Sequence, residues 1–135
     1  VPVVGVFNGV QYTDPTTGEQ VFKNHYPGSI SASDIIAFVV DDPNVVFEVQ
    51  ADDTFPVADL FGNFDIVDQS TTGDTSSGRS NVELDVTTGA TTTTLPLKAI
   101  DISQDPDNDD VASANTNVMV VIQNHIAGVK SAGLA

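Results

Sequence analysis

Apolar and polar residues alternate with a period of two along much of the chain, and this pattern predicts β-strands. The clearest example is Val82, Leu84 and Val86, which alternate with Glu83 and Asp85, and residues 44–50 show a similar pattern. Alternation of this kind is typical of a strand that has one face on a core and the other in water.

Turn-forming residues separate the predicted strands. Residues 14–18, with the sequence DPTTG, connect the first two runs, and DDP at residues 41–43 connects the third and fourth. Both connections predict hairpin-like pairs of antiparallel strands. The strand-like runs are 1–13, 19–26, 34–40, 44–50, 63–69, 79–86, 95–103 and 115–125.

These runs predict an all-β fold, a compact antiparallel β-barrel or two-sheet sandwich with one short helical turn. The turn is placed at residues 55–62, where Pro56 suits a first helical position and Gly62 a C-terminal stop. A single β domain is expected over residues 1–126, followed by a tail or arm at 127–135.

Two tracts rich in Thr, Ser and Gly, at residues 69–78 and 87–94, are predicted to be mobile hairpin tips. No internal repeat is evident. The visible N-terminus has no charged, apolar leader, so a signal peptide is not expected within this sequence.

Charge is the most unusual property of the composition. The 135 residues include 19 acids and 4 bases, for a formal net charge of −15. The bases are scattered, so we expect no binding of nucleic acid and no attraction to anionic membranes. No apolar run approaches the roughly 20 residues of a membrane span. Cysteine is absent, which fits assembly inside a cell. The acidity itself favours solubility and opposes self-association.

The segment DPDNDD offers the sharpest candidate for a metal site. Asp105, Asp107 and Asp109 follow the alternation that presents carboxylates to Ca²⁺ in helix-flanked loops. The rest of that motif fails, because Asp110 stands where glycine is needed and Thr116 where a bidentate glutamate is needed. We therefore interpret the segment as a solvent-facing acidic turn, with a weak Ca²⁺ site as the alternative and no other cofactor expected.

Catalytic signatures are missing. His25 and His125 are too few for a zinc site. The tripeptide GRS at residues 78–80 lacks the flanking residues of a nucleophile elbow, and no phosphate-binding glycine pattern occurs. We therefore expect that the protein is not an enzyme.

Several phrases together resemble a known family. They are GVFNGVQYTD (5–14), AFVVDDPNVVFEVQAD (37–52), LFGNFDIV (60–67), GRSNVELDV (78–86) and NVMVVIQNH (117–125). The set resembles small head-decoration, or cement, proteins of tailed bacteriophages, particularly marine and cyanobacterial ones. The resemblance implies a virion structural protein that is assembled in the host cytoplasm and binds the outer surface of the capsid. It implies the major capsid protein as partner and a homo-oligomer, a dimer or trimer, as the binding unit.

The family has no active site to transfer, so the contact is predicted from strand chemistry. The N-terminal segment and exposed strand edges could bind the capsid through unpaired backbone groups. This places a predicted contact at Val1, Pro2, Val3 and Val4. Two other classes stay open: a tail, fibre or host-adhesion β-module, and a secreted β-domain stabilised by Ca²⁺.

Overall fold

The structure is a computed structural model that describes residues 2–68, 73–130 and 132–133. The predicted all-β class is confirmed: these residues form two antiparallel sheets, of three and five strands, arranged as a sandwich-like fold and not as a closed barrel. The strands are β1 (Val6–Thr13), β2 (Gln20–Lys23), β3 (Ile36–Val40), β4 (Val46–Gln50), β5 (Asn63–Val67), β6 (Glu83–Ala90), β7 (Leu97–Ile102) and β8 (Asn117–Ile122).

The small sheet has the strand order β2-β1-β3. Its first two strands form the hairpin predicted from the DPTTG turn. The Asp14 carboxylate accepts a hydrogen bond from the Thr16 N–H at 2.7 Å, and Gly18 adopts a φ of 74° that favours glycine. The backbone N–H of Asp14 then donates to the Glu19 carbonyl at 2.8 Å, which starts the return strand.

The predicted hairpin between the third and fourth strands is wrong. β3 pairs with β1 in the small sheet, whereas β4 pairs with β8 in the large sheet. The turn itself forms, because the Asn44 N–H donates to the Asp42 carboxylate at 2.8 Å. Turn residues reverse the chain locally but do not choose the partner of each strand. The apolar face of β4, with Phe47 and Val49, packs against the core of the large sheet, to which β4 belongs.

The large sheet has the order β4-β8-β7-β5-β6 and contains the main hydrophobic core. Its edge strands β4 and β6 approach each other at an isolated parallel bridge between Ala51 and Leu84, where the Asp52 N–H donates to the Leu84 carbonyl at 3.0 Å. The buried core residues are Ala51, Phe55, Phe64, Leu84, Leu97, Ala99, Ile102, Val118, Val120 and Ile122.

An aromatic pair lies within this core. The rings of Phe55 and Phe64 are tilted, with centroids 5.4 Å apart, and both side chains are fully buried. The predicted helical turn follows Phe55 as a single 3₁₀ turn at Val57–Asp59. A second 3₁₀ turn, Pro106–Asn108, was not predicted from the sequence.

The second Thr-rich tract, residues 87–94, is not a free hairpin tip. β6 continues into it, and the carbonyl oxygens of residues 92–95 accept hydrogen bonds from three buried side-chain amides. Asn63 donates to one carbonyl at 3.0 Å, Asn124 donates to another at 2.8 Å, and Gln123 contacts two more. These contacts attach the tract to the large sheet, and its mobility stays a prediction. Residues 69–72 of the other tract lie outside the described residues.

Part of the predicted C-terminal tail contacts the large sheet. The Lys98 ammonium donates to the Ala132 carbonyl at 2.7 Å, and the Gly133 N–H donates to the Thr91 carbonyl at 3.2 Å. A Cβ atom at Gly133 would lie 2.5 Å from the Ala90 carbonyl oxygen, so glycine permits this close approach.

Candidate functional site

Exposed apolar side chains are concentrated in and around the small sheet. Of the 16 large apolar residues exposed in the described part of the chain, 9 lie between residues 4 and 39. They are Val4, Val6, Phe7, Phe22, Tyr26, Ile35, Ile36, Phe38 and Val39. Among the described residues, the extensive strand-to-strand contacts run within each sheet, and these apolar side chains stay exposed.

The register of the small sheet places three large side chains on one face. Gln11 lies opposite Phe22 on one side and Ile36 on the other, and Phe38 follows two residues after Ile36. Directly paired residues share a face, as do residues two apart along a strand. We call the side chains of Phe22, Ile36 and Phe38 the open face.

The open face is large enough to matter for association. Phe22, Ile36 and Phe38 are 66%, 52% and 43% exposed. With about 150–250 Å² for a large side chain, these fractions leave roughly 300 Å² of apolar surface. That area is in the range of about 300–600 Å² that marks the largest apolar patch of a typical monomer, which is often functional. The opposite face is better covered, since Val10 and Tyr12 are buried.

β3 is the most exposed strand of the small sheet. Its sequence, IAFVV, contains five apolar residues and no charge, and four of the five are exposed. A continuous apolar run is typical of a strand buried on both faces. Here the same pattern occurs in an edge strand, whose outer side has no pairing partner among the described residues.

Carboxylates lie at both ends of β3. Asp34 precedes the strand, and Asp41 and Asp42 follow it directly. The Asp34 carboxylate accepts hydrogen bonds from Thr13, with 2.6 Å between the Thr13 hydroxyl and the nearer oxygen. These bonds from Thr13, first from its side chain and then from its backbone, lower the pKa of Asp34. Asp34 is therefore held as an anion beside the start of the strand.

The residues of the predicted N-terminal contact have different environments in the structure. Val3 forms a parallel bridge with His125: its N–H donates to the Asn124 carbonyl at 2.9 Å, and its carbonyl accepts from the Ile126 N–H at 3.0 Å. The backbone groups of Val3 are thus engaged within the chain. Pro2 and Val4 are exposed, whereas Val1 lies outside the described residues. A capsid contact at residues 1–4 stays a prediction.

The acidic segment forms a capped turn. The Asp105 carboxylate accepts a hydrogen bond from the Asp107 N–H at 2.9 Å and caps the 3₁₀ turn Pro106–Asn108, whose C-cap is Asp109. Within residues 2–68, 73–130 and 132–133, no three His, Asp or Glu side chains are placed to hold a metal ion together. The Asp105 side chain is thus engaged in turn formation, and a metal role for Asp105, Asp107 and Asp109 stays a prediction.

Asn108 organises this turn, and the sequence did not single it out. Its amide nitrogen donates to the carbonyls of Ser103 at 3.0 Å and Asn117 at 3.1 Å, and its amide oxygen accepts from the Asn117 N–H at 3.0 Å. One side chain therefore connects the end of β7 to the start of β8.

Asn108→Ala is expected to lower the free energy of unfolding by about 2–3 kcal/mol, because three hydrogen bonds to partly buried groups are lost at about 1 kcal/mol each. Denaturant unfolding measures this loss, with Asp109→Asn as a control that changes stability by less than about 0.5 kcal/mol. Equal effects of the two substitutions would contradict the assigned role of Asn108. The Ca²⁺ site has a separate test. A rise in the melting temperature of the wild-type chain with CaCl₂, reversed by chelator, would support it.

The two histidines have separate local contacts. His25 Nδ1 lies 2.7 Å from the Asn24 side-chain oxygen. His125 is buried, and its Nδ1 accepts a hydrogen bond from the Ala127 N–H at 2.9 Å. His125 therefore belongs to the structural junction between Val3 and the C-terminal segment.

An open cleft of about 610 Å³ lies beside β6. Gln50, Arg79, Ser80 and Glu83 are among its lining residues. The Gln50 amide donates to Glu83 at 2.8 Å, and the Ser80 hydroxyl accepts from the Val82 N–H at 3.1 Å. These polar groups engage local partners and do not form a nucleophile with an adjacent base.

Asp74 stabilises a tight turn near this cleft. Its carboxylate accepts hydrogen bonds from the hydroxyls of Ser76 at 2.6 Å and Ser77 at 2.8 Å, and these bonds hold its pKa far below the ordinary value. Because the folded-state pKa is depressed, this carboxylate contributes stability above its ordinary pKa of 3.8 and loses it as pH falls further.

The combined substitution Ser76→Ala and Ser77→Ala is expected to raise the pKa of Asp74 toward its ordinary value. A titration of side-chain carboxyl resonances by NMR measures the change. The lowered pKa of Asp34, which depends on Thr13, serves as the internal control and should not move. An unchanged Asp74 titration would contradict the assigned hydrogen bonds.

Comparison with protein-family models, with curated proteins and with solved structures finds no match to this chain. Among the described residues, no helix has the length and apolarity needed to cross a bilayer. The class that the coordinates define is an all-β, sandwich-like fold with an exposed apolar sheet.

Proposed function

We propose that the protein is a non-catalytic virion structural protein that binds the outer surface of a phage capsid and stabilises the expanded shell. The observation that carries this proposal is the open face with the adjoining β3 edge, an apolar surface without a cover on a chain of net charge −15. A binding surface of this kind, combined with a self-sufficient core in the other sheet, suits a protein that acts by attachment.

The acidity supports the same function. Charge of one sign keeps protein particles apart in solution, and it reduces competition from packaged or free DNA during assembly. The acids are excluded from the three strands of the small sheet, where Lys23 is the one charged residue. The surface with the most exposed apolar area therefore differs in charge from the rest of the chain.

The mechanism is preferential binding to one state of the shell. A protein that binds the expanded lattice and not the unexpanded one shifts the equilibrium toward the expanded form by mass action. Repeated copies on a regular lattice strengthen contacts that are weak individually. Shell stabilisation would then need no chemical reaction. The expected dimer or trimer stays a prediction, which sedimentation equilibrium of the free chain tests.

Co-sedimentation with purified heads tests the proposal. Expanded and unexpanded heads of the virus that encodes the chain are mixed with the purified protein and pelleted. We expect saturable binding to expanded heads and much weaker binding to unexpanded heads. Absence of binding to both forms, together with binding to host cells, would replace the proposal with a tail, fibre or host-adhesion function.

A further inference from the structure

We propose that the outer edge of β3 binds an apolar strand of a partner protein that carries lysine or arginine at both ends of the strand. The identification of that partner as the capsid protein rests on the proposed function, but the chemistry of the surface does not. This inference names the contacting element, which differs from the predicted contact at residues 1–4.

The first step is the availability of the edge. β3 pairs with β1 on one side, through residue pairs from Val6–Val40 to Gln11–Ile36. On its other side no described residue pairs with it. Unpaired backbone groups along a sheet edge form a template for an added strand, and alternate side chains then provide specificity. Ile36 and Phe38 provide apolar contacts on the open face.

The second step is charge complementarity. The strand has no charge, but Asp34 precedes it and Asp41 and Asp42 follow it. At about 3.3 Å per residue, Asp34 and Asp41 are separated by roughly 23 Å along an extended chain. Lysine or arginine at the two ends of an added strand would be attracted by this negative charge, to which Asp34 contributes although its carboxylate also accepts hydrogen bonds from Thr13 of β1. The apolar centre would cover β3. Opposite charges at such positions favour the partner and fix its register.

The same acids oppose a second copy of this chain. Antiparallel self-pairing centred on Phe38 would place Ile36 opposite Val40, but it would also place Asp34 opposite Asp42 at each end. Like charges directly opposite each other are destabilising, and each copy carries a net charge of −15. Flanking charge of this kind is a recognised protection of edge strands against self-association. An anionic membrane would be repelled for the same reason.

Two synthetic peptides test the chemistry without any assumption about function. Both have the centre Thr-Val-Thr-Val-Thr; one is flanked by paired lysines and the other by paired glutamates. The ¹⁵N-labelled full chain is titrated with each peptide at low and high NaCl. We expect the lysine peptide to shift the amide resonances of Ile36–Val40, with weaker binding at high salt, and the glutamate peptide to shift none of them.

Matched variants separate the contribution of the flanking carboxylates from that of the apolar side chains. The double substitution Asp34→Asn with Asp41→Asn is expected to lower the affinity for the lysine peptide roughly fivefold, as for the loss of two exposed ion pairs. Asp59→Asn with Asp107→Asn makes the same change in net charge at exposed positions elsewhere and should leave the affinity unchanged. Phe38→Thr should also weaken binding, whereas Val57→Thr, at another exposed apolar position, should not.

Several results would overturn the inference. Equal binding of the two peptides, shifts confined to other strands, or no shift at Ile36–Val40 would each exclude the proposed partner chemistry. A chain that is dimeric in solution, dissociates on Phe38→Thr and associates more tightly at high salt would assign the edge to a second copy. Binding of wild type and Phe38→Thr alike to expanded heads would remove the edge from the capsid contact and leave the proposed function standing. Peptide binding without binding to heads would support the partner chemistry of the edge and remove the proposed function.

Discussion

Replacing Phe64 with alanine is expected to lower the free energy of unfolding by about 3–5 kcal/mol. Phe64 is completely buried in the large sheet and packs against Phe55. A Cβ atom built on Gly89 would lie 2.9 Å from its ring, which indicates how closely the backbone of β6 approaches it. Truncation leaves a cavity that the surrounding strands can fill in part, and domains of this size are typically stable by about 5–15 kcal/mol.

Phe22→Ala is the matched control, because Phe22 is 66% exposed on the open face. Its effect on stability should stay within about 0.5 kcal/mol, as for most surface substitutions. Denaturant unfolding of both variants measures the contrast. Losses of similar size would contradict the separation between a core in the large sheet and a binding surface on the small one.

Asn124→Asp is expected to lower the free energy of unfolding by about 3 kcal/mol or more at neutral pH. The Asn124 amide nitrogen donates to the Thr94 carbonyl at 2.8 Å in a buried environment. The substitution keeps the size of the side chain but replaces this donor with a carboxylate oxygen, which repels the carbonyl. The Thr-rich tract should then detach from the large sheet, and stability should fall by far more than surface charge alone explains.

The pH dependence of this variant provides a second measurement. Burial disfavours the charged form, so the introduced carboxyl should have a raised pKa in the folded state. A folded state that binds the proton more tightly gains stability as pH falls, so the deficit relative to wild type should shrink in acid. Asn44→Asp, at an exposed position, is the control and should show a small deficit at every pH. An equally small loss of stability for Asn124→Asp would contradict the assignment of the Asn124 amide as a buried hydrogen-bond donor.

Alternation predicted most of the strands, because burial of one face imposes a period of two, whereas β3 was predicted from a continuous apolar run. Neither pattern could assign the partner of each strand. The turn at residues 41–43 looks like a hairpin connection, yet β3 and β4 belong to different sheets. Strand pairing depends on contacts between distant parts of the chain, which local turn chemistry does not encode.

The candidate site illustrates a second limit of sequence analysis. The uniformly apolar β3 resembles a strand buried on both faces, and its exposure follows from its edge position in the small sheet. The acids at its two ends were visible in the sequence as Asp34, Asp41 and Asp42 and were the available signal. The sequence did not reveal the buried amides that hold the Thr-rich tract, because Asn and Gln are residue types that usually lie at the surface. These amides belong to Asn63, Gln123 and Asn124.

Hydrogen–deuterium exchange of the chain bound to expanded heads tests the central claim most directly, namely that the protein acts by attachment through its small sheet. We predict slower exchange at the amides of Ile36–Val40 in the bound state and unchanged exchange in β8, Asn117–Ile122. Unchanged exchange in β3, with new protection at residues 1–4 or on the large sheet, would contradict the account.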